Sequence, residues 1–104
     1  MTEAEFEKVA TKSELQPGAM KLVHVGGEDV CLVNVADQYY AIGNVCTHMG
    51  GPLNEGTLEG QELECPLHGS RFNVTTGEST EPPAEEPIKA YTVRVEGQDI
   101  LVGP

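Results

Sequence analysis

Aromatic side chains are scarce: the 104 residues contain no Trp, two Phe and three Tyr. That excludes a core built on bulky ring packing, and a small domain so supplied commonly leans on a metal or another cross-link. Basic residues are scarce too, six Lys and Arg against 17 Asp and Glu, for a formal net charge of −11. A field of that sign repels phosphate backbones and anionic lipids, which argues against nucleic acid and membrane surfaces as partners. It steers a basic protein partner inward, with on-rates that fall as salt rises; plain solubility is the competing reading. No apolar run approaches the roughly 18–20 residues of a membrane span. Met1 to Phe6 is acidic and lacks the basic and apolar regions of a secretory leader, so the expected compartment is the cytoplasm. Three cysteines make a poor disulfide framework and a better metal site.

What the chain has in quantity is turn chemistry, with 12 Gly and 7 Pro. Its length suits one domain, 1–104. Hydrophobic residues fall in short β-type runs: Phe6 to Ala10, Met20 to Val25, Val30 to Val35, Gln38 to Ile42 and Ile100 to Val102. Gly26-Gly27 suits a type I′ hairpin turn, and Gly97-Gln98 a type II′ turn. Val30-Cys31-Leu32-Val33 is apolar on both faces, the mark of a central, covered strand. Tyr91, Val93 and Val95 alternate with Thr92, Arg94 and Glu96 as a half-buried strand does. Thr11 to Glu14 caps at most one helical turn before Pro17-Gly18 stops it. Between these runs, residues 44–81 hold six of the glycines, two of the three His and two of the three Cys. There the reading is a site shaped by turns, with sheet supplied from either side.

The chemistry concentrates in Cys46-Thr47-His48 and Cys65-Pro66-Leu67-His68, with 16 residues between His48 and Cys65. Two loop tips of this kind offer two thiolates and two imidazoles to one centre. Tetrahedral zinc accepts such a set. Structural zinc motifs, however, usually pair like with like, whereas here each loop gives one Cys and one His. A mixed [2Fe–2S] centre needs two Cys on one iron and two His on the other. All four ligand positions would then be filled, leaving no open position for a substrate. No phosphate-binding Gly-rich loop precedes a helix, and no nucleophile–base set is evident. The residues point to moving electrons and away from an enzyme.

The spacing C-x-H, then C-x-x-H, resembles the Rieske signature. The match extends through His48-Met49-Gly50-Gly51-Pro52-Leu53, Cys65 to Phe72 and Thr76-Gly77. Over nearly the whole chain the sequence is similar to Rieske ferredoxins of bacterial aromatic-ring-hydroxylating dioxygenase systems. Pro82-Pro83-Ala84 and Pro87-Ile88 resemble the proline loop that covers the cluster in that family. The resemblance implies an all-β Rieske fold with a sandwich-like antiparallel base (1–43 and 82–104) and an inserted cluster-binding subdomain (44–81). It implies one [2Fe–2S] cluster per chain, with Cys46 and Cys65 on the inner iron and His48 and His68 on the outer. It further implies a cytoplasmic, monomeric one-electron carrier in aromatic hydrocarbon catabolism, between a flavin-dependent NAD(P)H ferredoxin reductase and a terminal oxygenase.

Departures from the high-potential members carry weight. Gly51 and Leu67 stand where those proteins have a bracing disulfide, and Phe72 stands where they have a Tyr that bonds to a ligand sulfur; Ser70 does match their serine. One sulfur-directed hydrogen bond is missing, so the potential is expected low in the Rieske range of about −150 to +300 mV. Neutral imidazoles leave the oxidised centre with no net charge, which sets that range above thiolate-only clusters. Glu55, Glu78, Glu81, Glu85 and Glu86 are candidates to pull it down again. The rival readings are a small Rieske subunit of a larger redox enzyme such as a nitrite reductase, and a structural zinc module. Cys31 reads as a buried, inert thiol, His24 as an ordinary strand imidazole, Glu81 to Glu86 as a solvated face, and Gly50, Gly51 and Gly69 as turn formers.

Overall fold

Short apolar runs punctuated by glycine fold hairpin by hairpin. The computed structural model describes residues 6–45, 52–66, 69–81 and 86–103. Among the described residues the strands are β1 (Glu7–Thr11), β2 (Met20–Val25), β3 (Glu28–Val35), β4 (Gln38–Gly43), β5 (Thr57–Glu59), β6 (Glu62–Glu64), β7 (Arg71–Asn73), β8 (Ser79–Glu81), β9 (Ala90–Glu96) and β10 (Asp99–Gly103). Two 3-10 turns, Lys12–Glu14 and Leu53–Glu55, complete the elements. No helix among the described residues is long and apolar enough to cross a membrane.

Six strands form the base, in the order β1-β10-β9-β4-β3-β2, all antiparallel. Its strands lie on either side, in sequence, of β5 to β8. Both Gly26 and Gly27 have positive φ between β2 and β3, the type I′ pattern. At Gly97-Gln98 only the glycine is positive, the type II′ pattern. The β3–β4 turn uses Ala36 and Asp37, which both adopt positive φ (52° and 70°) without a glycine. Buried Asn34 supports it, accepting the Asp37 N–H at 2.8 Å while donating to the Leu15 carbonyl at 2.8 Å. The sheet curls until β1 nears β2, where the Gly26 N–H donates to Glu7 Oε2 at 3.0 Å.

The curl encloses one aliphatic core, with Ala10, Leu15, Val23, Val25, Val30, Leu32, Ala41, Ile100 and Val102 buried together. On the other face of the same two strands, Cys31, Val33 and Ile42 pack with Leu53, Leu63, Cys65, Phe72, Val74 and Ile88. β3 is therefore covered on both sides, as its unbroken apolar run predicts. Each fully buried Val or Leu there contributes roughly 2 kcal/mol. Of the β9 alternation, Tyr91 and Val93 pack against the first core, but Val95 is 39% exposed. The reason is geometric: β9 pairs with β4 only at Tyr91 and Ala90, so its far end is backed by β10 alone.

The 44–81 region holds more sheet than its turn-rich composition suggests. β5-β6-β7-β8 form a second antiparallel sheet of three-residue strands. Strands this short show too little alternation to be read, and their glutamates disguise the two inward residues, Leu63 and Phe72. Gly77 joins this sheet to the returning chain. Its N–H donates to the Asn73 carbonyl at 2.6 Å, and its carbonyl accepts the Ile88 N–H at 2.7 Å.

Gly77 has φ +84°, and a Cβ there would run into the Ile88 carbonyl oxygen. Gly77→Ala is expected to destabilise by about 2–4 kcal/mol, against about 1 kcal/mol for Gly97→Ala, where φ is also positive but space is open; urea melts check the difference. Burial also pushes the Cys31 thiol from its ordinary 9.0 up to about 12. Above pH ~9 the unfolded chain ionises this thiol and the folded chain does not, so stability falls as pH rises toward 12. By pH ~10.5 this one group removes about 2 kcal/mol. Cys31→Ala should lose that share of the pH dependence in paired melts.

Candidate metal centre

The two expected ligand loops leave the scaffold through narrow necks. The first begins at Asn44, whose N–H donates to the Asp29 carbonyl at 3.0 Å and whose carbonyl accepts the Leu53 N–H at 2.7 Å. One residue further out, Val45 bridges Pro52. The Asn44 side chain, only 4% exposed, faces Asn54. Its Oδ1 accepts the Asn54 N–H and its Nδ2 donates to Asn54 Oδ1, both at 2.8 Å. Leu53, wholly buried in the second core, anchors the exit of the loop.

The second neck is the open end of the β6–β7 hairpin. Glu64 pairs with Arg71, and the Cys65 N–H donates to the Ser70 carbonyl at 2.7 Å. Gly69 takes φ +80°, a conformation open to glycine at little cost. Cys65 and Ser70 are both buried, at 2% and 1% exposure. The necks touch at Gly56, where a Cβ would collide with the Glu64 carbonyl. Only a bare backbone fits there, so the exit of the first loop lies directly beside the entry to Cys65.

Of the four expected ligands, Cys65 is the one whose placement is described, at the buried inner end of its loop. Cys46, His48 and His68 lie outside the described residues, as do Gly50, Gly51, Leu67 and the Pro82-Pro83-Ala84 stretch with Glu85. Among the described residues no three His, Cys, Asp or Glu side chains gather as a metal site. The other candidates stand apart as expected. Cys31 is a buried thiol in β3, and His24 is exposed on β2, 3.1 Å from Asp29. Glu86 is exposed. Val45, immediately before Cys46, is 53% exposed, so apolar surface lies beside the first loop.

Sequence reasoning missed the charge cluster on the second neck. Arg71 lies 3.2 Å from Glu59, 3.4 Å from Glu62 and 3.2 Å from Glu64. Desolvation pulls the guanidinium down, but the three carboxylates outweigh it and hold it above its ordinary value. One cation against three anions leaves this neck negative, which disfavours adding an electron nearby. A signal was present: Glu59-Gly60-Gln61-Glu62 repeats the pattern of the Glu96-Gly97-Gln98-Asp99 turn, and Gly60 likewise has positive φ.

Comparison with known proteins gives this arrangement its relatives. The Rieske [2Fe–2S] domain model matches residues 5–92. The ferredoxin component of a naphthalene 1,2-dioxygenase system from Pseudomonas aeruginosa is 40% identical over 102 residues, covering 98% of this chain and 97% of its own. Among solved structures, the ferredoxin of carbazole 1,9a-dioxygenase from Nocardioides aromaticivorans IC177 superposes with a TM-score of 0.93 at 42% identity, over 95% of this chain and 97% of that one. A chain from a complex of reduced oxygenase and oxidised ferredoxin in carbazole 1,9a-dioxygenase gives 0.91 at 38%, over 95% and 93%. The chain belongs to the Rieske [2Fe–2S] domain family, as a ferredoxin that carries electrons on one cluster per chain and is not itself an enzyme.

Proposed function

We propose that Cys46, His48, Cys65 and His68 hold the cluster. On this reading the chain ferries single electrons from a flavin-dependent NAD(P)H reductase to a terminal oxygenase that hydroxylates aromatic rings. The observation that carries the partner assignment is near end-to-end likeness, at about 40% identity, to ferredoxin components of such systems. A relative that sits in a complex with its oxygenase supports the same assignment. The protein acts as a cytoplasmic monomer, its 1–104 span one Rieske domain in which 44–81 binds the cluster.

The donor set fits the group. Cys65 is buried among Leu53, Leu63 and Phe72, which suits a thiolate on an inner iron. The first neck is closed by backbone and side-chain amide hydrogen bonds and the second by backbone bonds, so each Cys/His pair is carried on a fixed base. Bound there, the cluster supplies a one-electron couple with no open coordination position for substrate. Buried Ser70 lies at the base of the same loop, and Phe72 brings no hydroxyl to it. Together with the negative neck around Arg71, this sets a potential low in the Rieske range.

Potentiometric titration with EPR of the reduced protein tests the reading. A Rieske-type signal near the bottom of the range is expected; protein that holds metal but gives no signal would assign the site to zinc. His48→Cys or His68→Cys adds a negative charge and should lower the potential by on the order of 100 mV. An unchanged value would remove that residue from the ligand set. Electron transfer to the oxygenase, followed by stopped flow, should slow several-fold as salt rises. Reversing the charges of Glu85 and Glu86 should reproduce part of that slowing at low salt; indifference to both treatments would refute electrostatic docking.

A further inference from the structure

The amide pair at the first neck does more than end a strand. Asn44 lies two residues before Cys46, and Asn54 two residues before Gly56, whose backbone rests against Glu64 next to Cys65. The reciprocal bonds, both 2.8 Å, therefore tie the entry of one ligand loop to the segment that abuts the other. The backbone bond from Leu53 to Asn44 at 2.7 Å and the Val45–Pro52 bridge lie on the same neck. Asn44 is 4% exposed, so water is a poor substitute partner for its amide. The Asn44 amide donates to the Asn54 side chain and accepts from the Asn54 backbone N–H at once, which fixes its rotation as well as its position.

We propose that Asn44 and Asn54 are positioning residues for the cluster: their amide clasp holds the two ligand loops at the spacing the cluster needs. This rests on the ligand assignment above. The clasp touches neither iron nor sulfide. It acts by holding the neck closed, so that a loop which loses one metal bond re-forms it before the cluster escapes. Breaking it should speed cluster loss out of proportion to any loss of global stability.

The test compares holoprotein variants for three quantities: bleaching of the visible absorption in EDTA, the EPR spectrum of the reduced form, and unfolding in urea. Asn44→Ala removes both side-chain bonds, while Asn54→Ala removes one and keeps the Asn54 N–H bond to Asn44. Asn44→Asp keeps both, because a rotated Asn54 amide can donate to the new carboxylate. Gly97→Ala serves as a variant destabilised far from the necks. Asn54→Ala should bleach about tenfold faster than wild type, a factor matching one buried hydrogen bond left unmade, and Asn44→Ala, which loses two, faster still, both with broadened EPR features. Asn44→Asp should restore slow bleaching, and Gly97→Ala should resemble wild type. If Asn44→Ala folds poorly, Asn54→Ala decides alone. Bleaching no faster than in Gly97→Ala, or equally fast in Asn44→Asp and Asn44→Ala, would overturn the clasp. A wild-type protein without a Rieske signal would instead remove the ligand assignment, and the clasp with it.

Discussion

Two strands carry the molecule on both of their faces. Val30, Leu32 and Ala41 point into the curled base, while Cys31, Val33 and Ile42 point at the small sheet and its necks. Neither core is large, and among the described residues Phe72 is the one ring fully buried in them. Sharing β3 and β4 lets aliphatic side chains serve two layers, so displacing either strand would open both cores. The position of Cys65 follows from this sharing, since Leu53, Leu63 and Phe72 hold its neck against the outer face of the shared strands. Rigidity at the two necks is thus inherited from the base.

The base was legible because its signals are local. A diglycine with φ positive at both positions, a glycine leading a two-residue turn, and an apolar run without alternation each specify one feature within a few residues. The Ala36-Asp37 turn escaped notice because its support is Asn34, which reaches the buried Leu15 carbonyl, and no local pattern announces that bond. The second sheet escaped because three-residue strands hold too few positions to show a period. Its first hairpin repeats a turn sequence that was read correctly near the C-terminal end, where longer apolar flanks made it plain.

The candidate site divides in the same way. Ligand types and spacing are written in the chain as two Cys/His pairs. The means of holding them is not, because the amides of Asn44 and Asn54 and the contact of Gly56 with Glu64 depend on how loops meet in space. Electrostatics was half visible. The excess of acid is plain from composition, whereas its arrangement is not: Arg71 gathers Glu59, Glu62 and Glu64 across three neighbouring strands of the small sheet. That places lasting negative charge on the neck that carries Cys65, and under the proposed ligand assignment it draws the redox poise in the direction that a missing hydrogen bond to sulfur also favours.

The necks have a bearing on assembly. Each is shut by bonds between protein groups, and both cores close on buried side chains, so protein contacts alone join the described strands and necks. A newly made chain can therefore complete its sheets and necks before a cluster is delivered. This is the reverse of small zinc modules, in which metal binding and folding are one event.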